Sequence, residues 1–165
     1  MNSTTWDVTQ LLTREALYLD ERRWDDWLAL YTDDCLFWMP TWLEESRLGT
    51  DPDGELSFIY LQGITALKER AWRIQSGQSR ASRIGHRTAH VMGSPVIEAG
   101  ATADECRALA SGAVHVFHTE RATQHCFFGR YDYALRREAG AWRIARKHVT
   151  LMNDRIPTFL DINFI

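Results

Sequence analysis

Alternating apolar and polar residues near the end of the chain predict two long strands joined by a tight turn. One face of the first strand carries Phe127, Tyr131, Tyr133 and Leu135, and the opposite face carries Arg130, Asp132 and Arg136. This two-residue period is typical of a strand with one buried and one wet face. Residues 138–141 predict the turn, in which Gly140 can adopt a positive φ. The return strand changes phase between Ile144 and Val149, which predicts a β-bulge near residues 145–147 and a bent sheet.

The front half of the chain predicts helices. Apolar residues three and four apart mark one helix ending near Leu19, a second short helix, and a third from Ile64 to about Ser76. The second helix has an aromatic face made of Trp24, Trp27, Leu28 and Tyr31. Short strands are predicted at 35–39 and 56–60, and one interrupted strand at 88–92 and 96–99. A third long strand is predicted at 108–121, and 41–54 is predicted to be a surface loop. Helices followed by long antiparallel strands indicate an α+β fold, with helices packed on one face of a strongly curved, cone-shaped sheet.

The size and charge of the chain narrow the classes of protein that it can be. A length of 165 residues predicts a single domain, 1–165. The net charge of −3 indicates neither a nucleic-acid partner nor a membrane surface. No apolar run approaches the length of a membrane span, and no secretory signal is expected. The three widely spaced cysteines, Cys35, Cys106 and Cys126, form no CxxC motif, so we expect a reducing, cytoplasmic location.

The sequence offers no pattern typical of a metal site or a covalent catalyst. His86 and His90 straddle a predicted strand boundary without the glutamate of an HExxH motif. A Rieske cluster would need paired Cys-x-His and Cys-x-x-His segments, and the chain has none. Cys106 and Cys126 could act as nucleophiles only in a positive, exposed setting, and small buried apolar residues are the favoured interpretation. We therefore expect no metal site and no cofactor site in this chain.

An acid–base site inside the cone is the alternative that the residues leave open. Groups that could reach such a cavity are Tyr18, Tyr31, Tyr60, Asp34, Arg83, His86 and Asp132. A site of this kind needs one base and one oxyanion donor with shifted pKa values. The tyrosines could equally pack in the core or at its rim, with the hydroxyl bound to a polar partner.

Three segments have the composition of a partner surface. Arg80, Arg83 and Arg87 form either a solvated loop or a docking surface, since arginine is enriched at interfaces. Trp38 and Trp42 flank Pro40 beside an acidic loop, where a tryptophan is more exposed than in a core. The C-terminal segment 156–165 is apolar and is expected to dock on the domain or on a partner.

The segments EALYLDERRWDDWLALYTDDCLFWMPTW (15–42) and ELSFIY (55–60) resemble the small, or beta, subunit of Rieske-type aromatic-ring-hydroxylating dioxygenases. The segments FFGRYDY, WRIARKHVTLMND and IPTFLDINFI resemble the C-terminal part of the same family. The resemblance covers nearly the whole chain, with 64–120 the least distinctive part, and WMPTW is most similar to the benzoate, toluate and anthranilate branch.

The resemblance implies a cone-shaped α+β fold like that of nuclear transport factor 2, scytalone dehydratase and ketosteroid isomerase. It also implies assembly with a large subunit, as three large and three small chains in which the small subunits trimerise. The large subunit would carry the Rieske [2Fe–2S] cluster and the mononuclear iron, and NADH would supply electrons through a reductase. The family's small subunit is structural, so it has no catalytic residues that could be carried over.

Our first hypothesis is a non-catalytic subunit of a dioxygenase that adds dioxygen to an aromatic acid such as benzoate or anthranilate. Its rivals are a stand-alone cone-fold isomerase, dehydratase or hydrolase and, less favoured, a small-ligand binding module. The predicted partner contacts are Trp38, Trp42, Tyr60, Arg83, Arg87, Arg155, Phe159 and Phe164. The last two belong to the tail 159–165, which is predicted to contact the partner as a whole. The cone is expected to be filled by the apolar face of the hairpin, with Arg130, Asp132, Arg136, Arg146 and Lys147 facing outward.

Overall fold

The computed structural model describes residues 3–77, 85–153, 155–157 and 159–165, so predicted contact residue Arg83 lies outside the described residues. The helices are α1 (Ser3–Asp20), α2 (Trp24–Leu28) and α3 (Gly63–Gln75), and a 3-10 turn covers Ile162–Phe164. The strands are β1 (Tyr31–Pro40), β2 (Trp42–Glu44), β3 (Arg47–Leu48), β4 (Ser57–Gln62), β5 (His86–Met92), β6 (Val96–Ala99), β7 (Glu105–His118), β8 (Thr123–Glu138) and β9 (Ala141–Leu151). None of the described helices has the length and apolar character needed to cross a lipid bilayer.

Seven strands form one sheet in the order β4-β1-β9-β8-β7-β5, with β6 paired to β7 beyond the end of β5. The β1–β9 pair is parallel and the other pairs are antiparallel, so the sheet is mixed. Strands β2 and β3 form a separate ribbon. The helices contact the large sheet through β1, β4, β5 and β9. The predicted α+β fold is confirmed.

The β8–β9 hairpin follows its sequence pattern closely. Ala139 and Gly140 have φ values of 49° and 83°, as a two-residue type I′ turn requires. Ala134 pairs with Arg146 while Leu135 pairs with Ile144, so Ala145 is the extra residue of the predicted bulge. The prediction that Lys147 faces outward is wrong. The bulge restores the inner phase at this position, and Lys147 is buried with Val149 and Leu151.

Two local predictions near the front of the chain are also wrong. The aromatic helix ends at Leu28, and Tyr31 begins β1 instead. The amide of Ile144 donates to the carbonyl oxygen of Leu30, and Tyr31 pairs with Ile144. The backbone at residues 30–31 is therefore paired with β9. The loop predicted over 41–54 contains the β2–β3 ribbon. At Tyr31 the long-range pairing with β9 overrides the local pattern, whereas the β2–β3 ribbon is a local pairing of Trp42 with Leu48 and Glu44 with Arg47.

The inside of the cone is filled by the protein's own side chains. The hairpin contributes Phe127, Tyr131, Tyr133, Leu135, Trp142 and Ile144, all buried as predicted. Helices α1 and α2 contribute Val8, Leu12, Leu19 and Trp27, and strand β1 contributes Phe37 and Met39. The C-terminal segment docks on the same core, where Ile162, Phe164 and Ile165 are buried. The predicted docking of the tail on the domain is confirmed.

Candidate functional site

A buried ion pair lies at the centre of the cone. Lys147 Nζ on β9 is 2.8 Å from Glu15 Oε1 on α1, and both side chains are almost fully buried. The same carboxylate oxygen accepts hydrogen bonds from Trp27 Nε1 at 3.1 Å and from the Tyr31 hydroxyl at 2.9 Å. Lys147 also donates to the main-chain oxygen of Ile165 at 3.2 Å, which ties the tail to this cluster.

The electrostatics of the cluster favour its ionised form. Burial alone would raise the pKa of Glu15, but the Lys147 ammonium and the hydrogen bonds from Lys147 and Trp27 hold that pKa below its ordinary value. Burial and the Glu15 carboxylate raise the pKa values of Tyr31 and Tyr133 well above the ordinary range. The Glu15 carboxylate is therefore paired with the Lys147 ammonium and accepts hydrogen bonds from the neutral Trp27 and Tyr31 side chains. Such a group has neither the accessibility nor the proton affinity of a general base.

A second polar contact joins α1 to β5. His90 Nδ1 lies 2.6 Å from Asp20 Oδ1, the amide of His90 donates to Asp20 Oδ2, and the hydroxyl of Thr88 donates to Asp20 Oδ1. Burial opposes ionisation, yet the bonds from His90 and Thr88 lower the pKa of Asp20 below its ordinary value. This arrangement ties the end of the first helix to the sheet.

The mouth of the cone is covered by the C-terminal tail. The His86 ring contacts Phe159 and Phe164 with centroid distances of 5.4 and 5.2 Å, and the neighbouring His118 ring at 4.6 Å. A cavity of about 180 Å³ remains here, lined by Arg22, Trp24, Arg70, His86, Phe159 and Asp161 among others. Burial, with His118 and Arg22 nearby, lowers the pKa of His86 to about 4, so this histidine is neutral near pH 7.

The outer face of the sheet is left uncovered by the helices, which pack on the opposite face. One row of outward side chains runs in register across six strands: Tyr60, Trp38, His148, Asp132, Leu109 and Val96. The Trp38 ring lies over His148 at 4.8 Å and meets Tyr60 edge-on at 6.3 Å. A groove of about 620 Å³ lies along the other half of the row.

The residues predicted for an acid–base site are not brought together. Tyr31 is buried against Glu15, and His86 lies at the mouth. Tyr60 and Asp132 are on the outer face, and Asp34 is exposed and paired with Arg136 at 2.8 Å. Tyr18 lies beneath the guanidinium of Arg23 at 4.4 Å. Arg83 lies outside the described residues.

The residues predicted as partner contacts fall into two groups. Trp38 and Tyr60 are neighbours on the outer face, and the half-buried Trp42 nearby donates its Nε1 to the carbonyl oxygen of Leu151 at 2.6 Å. Arg87, Arg155 and Phe159 are exposed or half-buried on other parts of the chain. Phe164 is 1% exposed and packs inside this chain, so it is not available to a partner.

Sequence reasoning missed the Glu15–Lys147 pair, although a signal for it exists. Glu15 falls within the apolar stripe of α1, beside Leu11, Leu12 and Leu19. Lys147 falls in phase with Val149 and Leu151 once the bulge is taken into account. A charged residue of each sign in an inward phase indicates a buried pair, because an unpaired buried charge is too costly.

Comparison with known proteins gives consistent matches along nearly the whole chain. The model of the ring hydroxylating beta subunit family matches residues 14–158. The small subunit of anthranilate 1,2-dioxygenase from Acinetobacter baylyi is 29% identical over 154 residues, covering 93% of each chain. The beta subunit of toluate 1,2-dioxygenase from Pseudomonas putida is 32% identical over 155 residues, covering 94% of each chain.

Solved structures extend the comparison to the fold. The beta subunit of benzoate 1,2-dioxygenase from Burkholderia mallei aligns with a TM-score of 0.77 and 30% identity, covering 96% of this chain and 95% of that one. A scytalone dehydratase structure from Novosphingobium aromaticivorans aligns with a TM-score of 0.70, covering 97% of this chain and 93% of that one. At 13% identity the second match concerns the fold alone.

Proposed function

Because the chain belongs to the ring hydroxylating beta subunit family, we infer that it is the small subunit of an aromatic-ring-hydroxylating dioxygenase. The observation that carries this conclusion is the match over 14–158, together with relatives that align over 93% and 94% of both chains. We propose that residues 1–165 form one domain and that the substrate of the assembled enzyme is an aromatic acid such as benzoate or anthranilate. The names of the relatives support this substrate class.

The partner of a small subunit in this family is a large subunit. We propose an assembly of three large and three small chains in which the small subunits trimerise. The proposed contacts are Trp38, Trp42, Tyr60, Arg87, Arg155 and Phe159, with Arg83 retained from the sequence alone. Phe164 is left out because it is buried in this chain. The aromatic pair on the outer face supports the proposal, since tyrosine, tryptophan and arginine are enriched at interfaces.

We propose that the iron chemistry takes place on the large subunit, with a Rieske [2Fe–2S] cluster, a mononuclear iron and electrons from NADH through a reductase. Among the residues that the structure describes, no group of three or more His, Cys, Asp or Glu side chains has the spacing to hold a metal ion. The residues within 3–77, 85–153, 155–157 and 159–165 therefore do not fit either iron group. A cytoplasmic location is proposed from the three free cysteines.

A structural role also fits the interior of the cone, in contrast to the rival hypothesis of a stand-alone enzyme. The carboxylate that occupies the interior is neutralised by Lys147 and surrounded by packed aromatic rings. A catalytic base must instead reach a substrate proton.

The test is to produce this chain with and without a large subunit of the benzoate or anthranilate type. We expect the two chains to co-purify, and we expect iron, the visible absorption of the cluster and dioxygenase turnover only in the complex. The lone chain should be folded and inactive toward aromatic acids. Stoichiometric iron in the lone chain, or turnover without a partner, would contradict the proposal. A complex whose mass differs from three large and three small chains would contradict only the stoichiometry.

A further inference from the structure

The outer face of the sheet carries a groove whose charges are not balanced within the chain. We call it the outer groove and define it by Val96, Arg107, Leu109, Arg130, Asp132 and His148. It lies where β6, β7, β8 and β9 present their outward side chains. Its volume of about 620 Å³ falls in the range of ligand and peptide sites.

Three arginines, Arg107, Arg130 and Arg146, outnumber the two carboxylates of this region, Asp132 and Glu98, of which Glu98 lies 3.4 Å from Arg107. Asp132 already accepts two hydrogen bonds from Arg107, at 3.0 and 2.9 Å, and one from Arg146 at 3.3 Å. Arg130 lies in the next row of the outer face, between Ser111 and Thr150. Within the described part of the chain, its guanidinium has no hydrogen bond or ion pair. The groove therefore presents an unpaired cation in a chain whose net charge is −3.

Two further polar atoms lack acceptors in the same region. His148 Nε2 and Arg146 Nε are buried and have no hydrogen-bond partner among the described residues. The Trp38 ring covers the face of His148 at 4.8 Å. Buried donors without acceptors are rare in folded proteins, because each one costs free energy. Among the described residues, these two nitrogens are therefore left unsatisfied beside the groove.

The floor of the groove is apolar at the end away from Trp38. Val96 is 62% exposed and pairs with Leu109 across the β6–β7 ladder. The outer groove covers the half of the row from His148 to Val96, which crosses four strands and about 14 Å at the usual strand spacing. An extended segment of about four residues spans that distance. The shape and chemistry thus fit a peptide segment with a carboxylate near one end of the groove and an apolar side chain beside it.

We propose that the outer groove binds an extended acidic segment of the large subunit, with a carboxylate on Arg130 and an apolar side chain on Leu109 and Val96. The inference rests on the proposed function, which supplies the partner. Charge complementarity between the unpaired Arg130 guanidinium and a carboxylate of the partner segment supports the inference. The acidic loop of this chain, 51–55, is a weaker candidate because Glu55 already binds Arg47 and two backbone amides, and Asp51 accepts from the amide of Asp53.

The test compares Arg130→Glu with Arg14→Glu, a charge reversal at an exposed helical arginine that has no partner among the described residues. The dissociation constant between purified small and large subunits is measured at about 50 mM and about 500 mM salt, where screening differs strongly. We expect Arg130→Glu to weaken binding about tenfold or more and to reduce its salt dependence. Arg14→Glu should bind like the wild type, and both variants should keep the wild-type melting temperature.

The outcomes separate this inference from the proposed function. If the wild-type chain does not bind the large subunit, the proposed function fails. If the wild type binds and Arg130→Glu binds equally well, only the groove inference is overturned.

Other results would assign the groove to a different occupant. If Arg130→Glu changes the oligomeric mass of the lone subunit, the occupant is a second copy of this chain. Binding of benzoate to the lone wild type that Arg130→Glu abolishes would assign it to a small carboxylate. Recovery of binding through an Asp→Arg or Glu→Arg change in the large subunit would identify the segment.

Discussion

At the level of single residues, the buried Glu15–Lys147 pair is the least expected feature of the chain. Removing two charges from water carries a large desolvation penalty, and their attraction offsets it only when the geometry is good and the remaining bonds are made. Here one carboxylate oxygen accepts from Lys147, Trp27 and Tyr31 together. The pair links α1 to β9, so its loss should affect the packing of helix on sheet.

Replacing Lys147 with methionine should destabilise the protein strongly. The substitution keeps most of the side-chain volume and leaves Glu15 as a buried charge without its cation. We expect the free energy of unfolding to fall by about 3–5 kcal/mol, measured by urea denaturation. The double variant Glu15→Gln/Lys147→Met should recover part of this loss, because it leaves no unpaired charge and keeps an amide oxygen that can accept from Trp27 and Tyr31.

The matched control is Asp26→Asn, which breaks the exposed pair that Asp26 forms with Arg23 at 2.8 Å. Exposed pairs contribute little, so the unfolding curve should barely move. Equal stability losses for Lys147→Met and Asp26→Asn would show that the interior pair is not the source of the effect.

The hairpin turn offers a stabilising substitution. Ala139 has a φ of 49°, a left-handed conformation that is unfavourable for a residue with a Cβ, and Gly140 follows at 83°. Asn-Gly is the preferred pair for such a turn, so Ala139→Asn should raise the free energy of unfolding by about 0.5–1 kcal/mol. Ala101→Asn, at an exposed position without a positive φ, is the control. No gain at residue 139, or an equal gain at residue 101, would contradict the argument.

The histidine at the cone mouth predicts a dependence of stability on pH. The pKa of His86 is lowered to about 4 from 6.5, chiefly by burial and also by His118 and Arg22. Between pH 6.5 and pH 4, His86 binds a proton in the unfolded chain but not in the folded one. The free energy of unfolding therefore falls as the pH drops from 6.5 toward 4. His86→Gln should remove about 1–2 kcal/mol of this fall, since solvent at the mouth screens part of the effect.

The measurement is the free energy of unfolding at several values between pH 7 and pH 4. His115→Gln, at an exposed position on β7, serves as the control and should keep the wild-type slope. A slope unchanged by His86→Gln would assign the acid sensitivity to other groups.

At the level of elements, prediction succeeded where the local pattern and the long-range pairing agree. The period of β8, the Gly140 turn and the change of phase at Ala145 all follow from the pattern, because a strand with one buried face has a single acceptable register. Prediction failed at Tyr31, whose helical spacing from Trp24 and Trp27 is real but whose backbone is paired with β9. No local pattern contains the pairing of residues more than 100 positions apart.

The C-terminal tail behaves as an element of the core rather than as a free arm. Phe164 stacks on Phe127 with a centroid distance of 6.3 Å, and Asp161 accepts from Arg70 at 2.7 Å. Phe164→Ala should therefore lower the free energy of unfolding by about 3–5 kcal/mol, measured by chemical denaturation of the lone subunit. Phe128→Ala, at a side chain that is 48% exposed, should cost much less. Equal losses would mean that the tail adds nothing beyond ordinary surface packing.

At the level of the whole molecule, the two faces of the sheet have different surroundings. The inner face is covered by α1, α2, α3 and the tail, whereas the outer face keeps aromatic and arginine side chains without a cover in the lone chain. The alternation in β8 predicts which side chains lie on each face, and the family follows from segments such as 15–42. Interface residues are harder to predict from sequence. A tryptophan buried in the core and a half-buried tryptophan at an interface can occur in the same sequence pattern.

The outer aromatic pair gives the last prediction, which concerns assembly. Trp38 is half-buried, donates its Nε1 to Ser57 at 2.9 Å, and contacts Tyr60 and His148, so its ring is held in place before any partner binds. A fixed aromatic side chain loses little entropy on binding and is a typical hot spot. Trp38→Ala should weaken binding to the large subunit by about 2 kcal/mol or more, measured as a dissociation constant by sedimentation. Trp72→Ala, at an exposed tryptophan on α3, should leave that constant unchanged. If Trp38→Ala instead unfolds the lone subunit while its affinity per folded chain stays the same, Trp38 belongs to the framework of the sheet and the interface lies elsewhere.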